Sequence, residues 1–301
     1  MEKILKKIFM KKVVGLGEIL WDIFPNQKVL GGAPANFAYH ISQFAFDGCV
    51  VSAIGDDILG KEILENLKEK KLNYFIETTS FPTGTVDIYI DNQGVPKYTI
   101  PENVAWDNIP FSEQTKLLAQ NTDTVCFGSL AQRHKNSRET IYHFLKTMPK
   151  KSLKIFDINL RLNYYTPEII ENSLVQANIL KINDEEVVKV AKLFGWQGSE
   201  RIICEKLATL YNLNFLILTK GINGSLVLTP NKESFLPTPK VKVVDTVGAG
   251  DSFTAAFVAS YLKGFSFEEA HTLAVEVSAY VCQQHGAMPK LSDHYLQLFN
   301  K

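Results

Sequence analysis

The chain has 301 residues, of which 46% are hydrophobic, 21% charged and 11% aromatic, a balance that excludes a largely disordered protein and gives enough length for a continuous buried core. Lysine plus arginine and aspartate plus glutamate number 32 each, so no global basic field draws the chain to nucleic acid or an anionic membrane. The balance points to small-molecule partners.

Residues 1–11 are basic, with an apolar stretch too broken for a signal peptide. They read as a flexible extension, with Met10 available as a natural start. No uninterrupted apolar run approaches the ~20 residues that cross a bilayer, and a cytoplasmic protein is expected. Cys49, Cys126, Cys204 and Cys282 form no C-x-x-C pair and show no zinc spacing, so they are expected buried and reduced.

Val13–Leu16 reads as the first buried strand. Gly15-Leu16-Gly17 follows it, but Leu20 occupies the third glycine position and the dinucleotide fingerprint fails. Leu20–Leu30, with Pro25-Asn26 as a turn signal, reads as a hairpin. It carries Asp22, an acid between apolar residues that can accept hydroxyls of a polyol or face solvent. In Gly31-Gly32-Ala33-Pro34-Ala35-Asn36, Pro34 suits a first helical turn and Asn36 can donate and accept at once, which suits a sugar hydroxyl; a tight turn capping a core helix explains it as well. Val50–Ile54 is a second strand and Leu59–Lys70 an amphipathic helix. Thr83–Thr99 alternates around Asp91-Asn92-Gln93-Gly94 and reads as a second hairpin. Two one-sided hairpins at 20–30 and 83–99 can form a lid over a cleft or two plain edges.

Further along, Val125–Phe127, Ile155–Ile158, Ile179–Ile182 and Phe215–Leu218 read as strands, with helices at Ser137–Thr147, Glu185–Phe194 and Glu200–Tyr211. Strands alternating with helices give an α/β sandwich with a mostly parallel sheet. Asp157, Asn159 and Arg161 end one strand at alternate positions, which in an extended chain puts them on one side. Strand C-termini are where open parallel sheets bind ligands. Asn183 and Glu186 follow the next strand and can hold Mg²⁺ through water, or serve as an ordinary helix cap. Thr219-Lys220-Gly221-Ile222-Asn223-Gly224 reads as a glycine-rich turn suited to nucleotide phosphate. The strongest local signal is Asp245-Thr246-Val247-Gly248-Ala249-Gly250-Asp251 before a helix-forming run from Ala255 to Lys263. Gly248, Ala249 and Gly250 bare the helix-start N–H groups, which bind anions. Asp251 then either stabilises the helix or acts as a general base beside a transferring phosphoryl group. No P-loop, H-E-x-x-H or G-x-S-x-G motif occurs, and the six histidines are scattered.

In their order and separation these segments resemble the ribokinase-like (PfkB) carbohydrate kinase family. The resemblance is carried by Gly31-Gly32…Asn36-x-Ala38, Ala53-Ile54-Gly55-Asp56-Asp57…Gly60, Asn183-x-x-Glu186, Asp245-Thr246-Val247-Gly248-Ala249-Gly250-Asp251 and Gly286-Ala287, over roughly residues 12 to 290. Gly17-Glu18-Ile19-Leu20-Trp21-Asp22 and Asp157-x-Asn159-x-Arg161 look most like fructokinases, and 2-keto-3-deoxygluconate kinases share parts of the pattern. The resemblance implies a three-layer α/β/α domain over residues 12–301 with a small β-sheet lid. It implies phosphorylation of a free sugar, D-fructose first, by ATP, with 2-keto-3-deoxygluconate, ribose or a nucleoside as other acceptors. A non-catalytic sugar-binding regulator on the same fold is the remaining alternative.

By the same resemblance Asp251 is the base, and Gly248, Ala249 and Gly250 form the anion hole. Asp22, Gly32 and Asn36 hold the sugar, with Arg161 near sugar or phosphate. Asn183 and Glu186 organise Mg²⁺, while Thr219, Gly221 and Gly224 line the ATP side. A monovalent cation such as K⁺ would sit among Asp245, Val247, Val281, Gln284 and Gly286; Val247 stands where a threonine is common, and Lys290 where ribokinases carry a hydroxyl ligand. Arg161 or Arg133 would serve a carboxylate-bearing acceptor. The exposed edge of the lid can pair with a second subunit as a homodimer.

Overall fold

The computed structural model describes residues 10–90 and 96–299. Residues 1–9 of the expected extension and the turn Asp91-Asn92-Gln93-Gly94 lie outside them. The first half holds β1 (Lys12–Leu16), β2 (Leu20–Phe24), β3 (Gln27–Gly31), α1 (Ala33–Gln43), β4 (Asp47–Gly55), α2 (Ile58–Glu69), β5 (Asn73–Thr79), β6 (Thr85–Ile90) and β7 (Pro96–Thr99). Next come α3 (Glu113–Gln120), β8 (Thr124–Phe127), α4 (Lys135–Thr147), β9 (Leu153–Asp157), α5 (Pro167–Gln176), β10 (Ile179–Asn183), α6 (Asp184–Leu193) and α7 (Glu200–Leu210). The chain closes with β11 (Phe215–Thr219), β12 (Ser225–Leu228), β13 (Glu233–Leu236), α8 (Ala249–Leu262), α9 (Phe267–Val281) and α10 (Asp293–Leu298).

The large sheet runs β13-β12-β11-β10-β9-β8-β1-β4-β5. It is parallel from β11 to β5, and β12 and β13 add antiparallel strands at one edge. Alternate residues of each strand feed opposite cores, as the pleat requires. Val14, Phe127, Phe156, Leu180 and Leu216 join one core with Phe144 of α4 and Leu207 of α7. Val13, Cys126, Ile155, Ile179 and Phe215 join the other with Phe37 of α1 and Phe253 and Phe257 of α8. Helices therefore cover both faces, the α/β/α sandwich that alternating strands and helices imply. Helix α8 is buried from Ser252 to Ser260, and its hydroxyls are satisfied locally: Ser260 donates to the Ala256 carbonyl at 2.7 Å.

Both expected hairpins form, but they join in one four-stranded sheet, β3-β2-β6-β7. The join is parallel, Trp21↔Thr85 to Ile23↔Asp87, so the small sheet is mixed rather than purely antiparallel. Its stem is tied to the large sheet. Asp57 accepts from the Thr83 N–H at 2.8 Å, the Thr83 hydroxyl at 2.6 Å and the Gly60 N–H at 2.8 Å. Partial burial opposes the Asp57 charge, yet the Thr83 and Gly60 hydrogen bonds hold its carboxyl below the usual range. Gly84 must lack a side chain, because a Cβ would stand 2.1 Å from Trp106 Nε1. Trp106 and Tyr164 sandwich Arg133, with its guanidinium carbon 4.1 and 4.6 Å from their ring centres. All four cysteines are free; Cys49, Cys126 and Cys204 are buried and Cys282 partly so.

Candidate active site

From β1 the chain crosses to β4 and β5 on one side, and later strands β8 to β11 build out on the other. The order therefore reverses between β1 and β8, and crevices for ligands open at such a switch point, outside the strand C-termini. Along that edge stand Glu18 just past β1, Phe127 and Gly128 at β8, Asp157 ending β9, Asn183 ending β10 and Thr219 ending β11. Asn183 and Thr219 are direct register partners.

Helix α8 begins at this crevice. Its N-cap Gly248 has φ +77°, and a Cβ there would stand 2.7 Å from the Ala287 Cα and carbonyl oxygen. Only glycine combines that turn with that contact. Of the first-turn N–H groups, that of Ala249 donates to the Thr246 carbonyl at 3.3 Å, and that of Gly250 has no hydrogen-bond partner among the described residues and is left for a ligand at the crevice. Across it lies α1, which starts at Gly32 (φ +111°) and presents buried Asn36. Asn36 Nδ2 donates to Asp251 Oδ2 at 2.8 Å, joining residues 215 positions apart. Asn36 Oδ1 is buried without a partner, an acceptor left over for a ligand hydroxyl. A cavity of about 10 Å³, about the space of one water, is lined by Asp251, Asp157, Phe37 and Cys126.

Burial first, and then the Asp157 charge, push the Asp251 carboxyl up to about 6, against the pull of Asn36, Lys181 and Arg161. Asp157 is itself ion-paired with Lys181 at 3.1 Å and accepts from the Thr254 hydroxyl at 3.2 Å. Lys181 is buried; desolvation opposes its charge, yet Asp157, Glu186 and Asp251 raise its proton affinity above the lysine norm. A Cβ on Gly250 would come within 3.0 Å of Lys181 Nζ, which places that ammonium under the start of α8. Asp22 on β2 faces a gap left by Gly31, whose Cβ would stand 2.4 Å from Asp22 Oδ2. Burial pushes the Asp22 carboxyl up to about 6, with Arg161 opposing. Arg161 is exposed, and its charge is felt by Asp22, Glu18 and Asp251 alike.

Several expectations change here. Asp157, Asn159 and Arg161 do not share one side of an extended chain. The strand ends at Asp157, Asn159 turns to φ +43°, and Asp157 is buried in its ion pair while Arg161 is exposed. Arg133 is not available to an acceptor, because Asp107 takes it in a two-pronged pair at 2.7 and 2.8 Å, both side chains buried. Asn183 and Glu186 form a full capping box: Asn183 Oδ1 accepts from the Glu186 N–H at 2.8 Å, and Glu186 Oε2 from the Asn183 N–H at 2.9 Å. Glu186 Oε1 also accepts from the Leu160 N–H at 2.9 Å. Of the two, only Asn183 is partly exposed to meet a hydrated ion.

Gly221 (φ +50°) and Gly224 (φ +98°) shape the turn after Thr219, and the Thr238 hydroxyl accepts from the Gly224 N–H at 3.1 Å. Asp245 clasps two loops, accepting from the Val247 N–H at 3.0 Å and the Gly286 N–H at 3.1 Å. Val281 and Gln284 share the neighbouring turn, with the Gln284 N–H donating to the Val281 carbonyl at 2.9 Å. Lys290 is exposed. Two groups escaped the sequence reading: Lys181 and Glu18. The signal available for each was a charged residue inside a buried apolar stretch, Lys181 in the middle of β10 and Glu18 just past β1, where solvent does not explain it.

A family model described as pfkB family carbohydrate kinase matches residues 20–294. A sugar kinase of Pyrococcus horikoshii is 26% identical over 296 residues, 91% of this chain and 91% of its own. Its structure in complex with ATP has a TM-score of 0.78 at 25% identity, covering 92% of this chain and 94% of that one. An ATP-dependent 6-phosphofructokinase of Thermoanaerobacterium thermosaccharolyticum is 26% identical over 299 residues (93% and 91%), and a fructokinase of Salmonella typhimurium 25% over 300 residues (93% and 96%).

Proposed function

The chain belongs to the pfkB family of carbohydrate kinases, and on that premise we propose that it transfers the γ-phosphoryl group of ATP to the 6-hydroxyl of D-fructose. The observation that carries this reading is the Asn36–Asp251 hydrogen bond across the crevice, in the first turn of α8. In-line phosphoryl transfer asks a protein for position and charge stabilisation more than for covalent chemistry.

Asp251 takes the proton from the sugar hydroxyl as its oxygen attacks the γ-phosphorus and ADP departs. The N–H groups of Ala249 and Gly250, beyond Gly248, meet the charge on the transferring group. Asn36 Oδ1, Asp22 and the Gly32 backbone hold the sugar, and Arg161 serves sugar or phosphate. Thr219, Gly221 and Gly224 line the nucleotide side of the same edge. Mg²⁺ would be met through water by Asn183, which the Glu186 capping box holds in place, and would supply positive charge to neutralise the phosphates. K⁺ would lie by Asp245, Val247, Val281, Gln284 and Gly286. The small sheet acts as a lid that keeps water from competing as acceptor. Residues 12–301 act as one domain in the cytoplasm, with a homodimer through the edge of the small sheet.

The test is sugar-dependent ADP release across fructose, 2-keto-3-deoxygluconate, ribose, adenosine and fructose 6-phosphate, the last because a related enzyme is a 6-phosphofructokinase. Fructose is expected to give the highest kcat/KM. A higher value for another acceptor overturns the substrate, and ATP turnover indifferent to every acceptor overturns the kinase reading.

A further inference from the structure

Glu18 is a buried acid with no part in the steps above. It lies two residues beyond β1 and is 2% exposed. Its backbone is pinned: Ile19 is fully buried, and the Glu18 carbonyl lies against Gly32, where a Cβ would stand 2.4 Å away. The side chain therefore has no easy route to water. Oε2 has no hydrogen-bond partner, and the backbone of Glu18 itself and of Ala33, at the start of α1, offsets only part of the cost of burying the charge. The charges that face it are Asp251 on α8 and Arg161 beyond β9, with the Cys126 thiol on β8 near both acids. Asp251 in turn faces Asp157 on β9 and Lys181 on β10.

Two carboxyls in one enclosed site do not ionise independently; the better stabilised one ionises first and the other then does so against its charge. Asp251 has Asn36 and Lys181 to stabilise its carboxylate. Glu18 has an oxygen that no donor satisfies, and burial, followed by the Asp251 charge, pushes it up to about 7.

We infer that Glu18, a buried carboxyl with one oxygen that no donor satisfies, lodged between the starts of α1 and α8, controls phosphate docking: whenever it carries charge it adds a second unpaired anion that repels phosphate from the start of α8. The inference rests on the reading of Asp251 as the base. Once Glu18 ionises, its charge lies beside the place where the triphosphate must dock, in a setting that screens it weakly. Activity then falls on the alkaline side, and glutamine, isosteric with the neutral acid, cannot undergo that change.

The experiment is the pH profile of kcat/KM, which reports the free enzyme, for the wild type and Glu18→Gln, with ¹³C-carboxyl NMR of the full chain. One glutamate resonance titrating near pH 7 is expected in the wild type, absent from E18Q. At pH 8 E18Q should exceed the wild type about tenfold, the inverse of the fraction of Glu18 still protonated a unit above its pKa. If E18Q does not fold, Glu18→Asp replaces it and should keep the alkaline fall. A Glu18 ionised from pH 5 upward overturns the inference, as does a folded E18Q slower than the wild type at pH 8, or an E18D without the fall. Asp251→Asn separates the two readings: near-normal turnover there sinks the base role, while the Glu18 titration is still observed.

Discussion

Replacing Asp251 by asparagine should make the protein more stable while stopping it from working. In the folded chain the carboxyl is raised from 3.8 to about 6 by burial and by Asp157. A shift of about two units at 1.36 kcal/mol each means that folding carries a cost of up to about 3 kcal/mol once Asp251 is ionised. The sign follows from proton counting. Below pH 3.8 the acid is protonated in both states and costs nothing. Between 3.8 and 6 the folded state binds more protons, so stability drains away as pH rises, and above 6 the loss is complete. The substituted amide would not titrate and could still accept from Asn36. Asp251 keeps some surface exposed, so the gain for Asp251→Asn should be about 1–3 kcal/mol at pH 8, shrinking toward nothing near pH 4. For a chain of this size that is several degrees in Tm. Loss of the base should lower kcat by ~10²–10⁴. Thermal or urea unfolding at a series of pH values, beside steady-state kinetics, decides the matter. Equal destabilisation at every pH, or turnover near that of the wild type, would refute the reasoning.

Gly248→Ala should cost at least ~2 kcal/mol, since the new Cβ meets the Ala287 backbone at 2.7 Å in a left-handed conformation, and should lower kcat ~10²-fold by displacing the α8 amides; urea midpoints and kinetics check both. Arg133→Ala strands the Asp107 carboxylate, 1% exposed, and should lower stability by about 3–5 kcal/mol in urea titrations. Arg133→Lys should rescue little of it, because one ammonium cannot reproduce the two-pronged pair.

The large sheet was legible because its strands bury both faces and read as continuous apolar runs: Val13–Leu16, Ile179–Ile182 and Phe215–Leu218 all fall inside β1, β10 and β11. Edge strands β5 and β13 are not legible because most of their positions are only partly buried and carry no clean apolar run, and β12, fully buried between β11 and β13, is too short to stand out. The parallel join of β2 to β6 bridges more than sixty residues, and nothing in local periodicity encodes it. In the site, the helix start at Gly248–Asp251 and the turn at Gly32–Asn36 were legible because backbone geometry dictates their residue types. The pairings were not. Lys181 with Asp157, Arg133 with Asp107 and Glu18 beside Asp251 arise only when separate strands and loops meet. Asn159 departs from the alternation because a left-handed residue breaks the two-residue period that an extended chain would keep.

The central claim is that the amides opening α8 receive the transferring phosphoryl group and Asp251 the acceptor's proton. A crystal structure of the protein with a non-hydrolysable ATP analogue and fructose tests it directly. The terminal phosphate is expected within hydrogen-bonding distance of the Ala249 and Gly250 N–H groups, with the sugar 6-hydroxyl on Asp251. A terminal phosphate bound away from residues 248–251 would contradict the account.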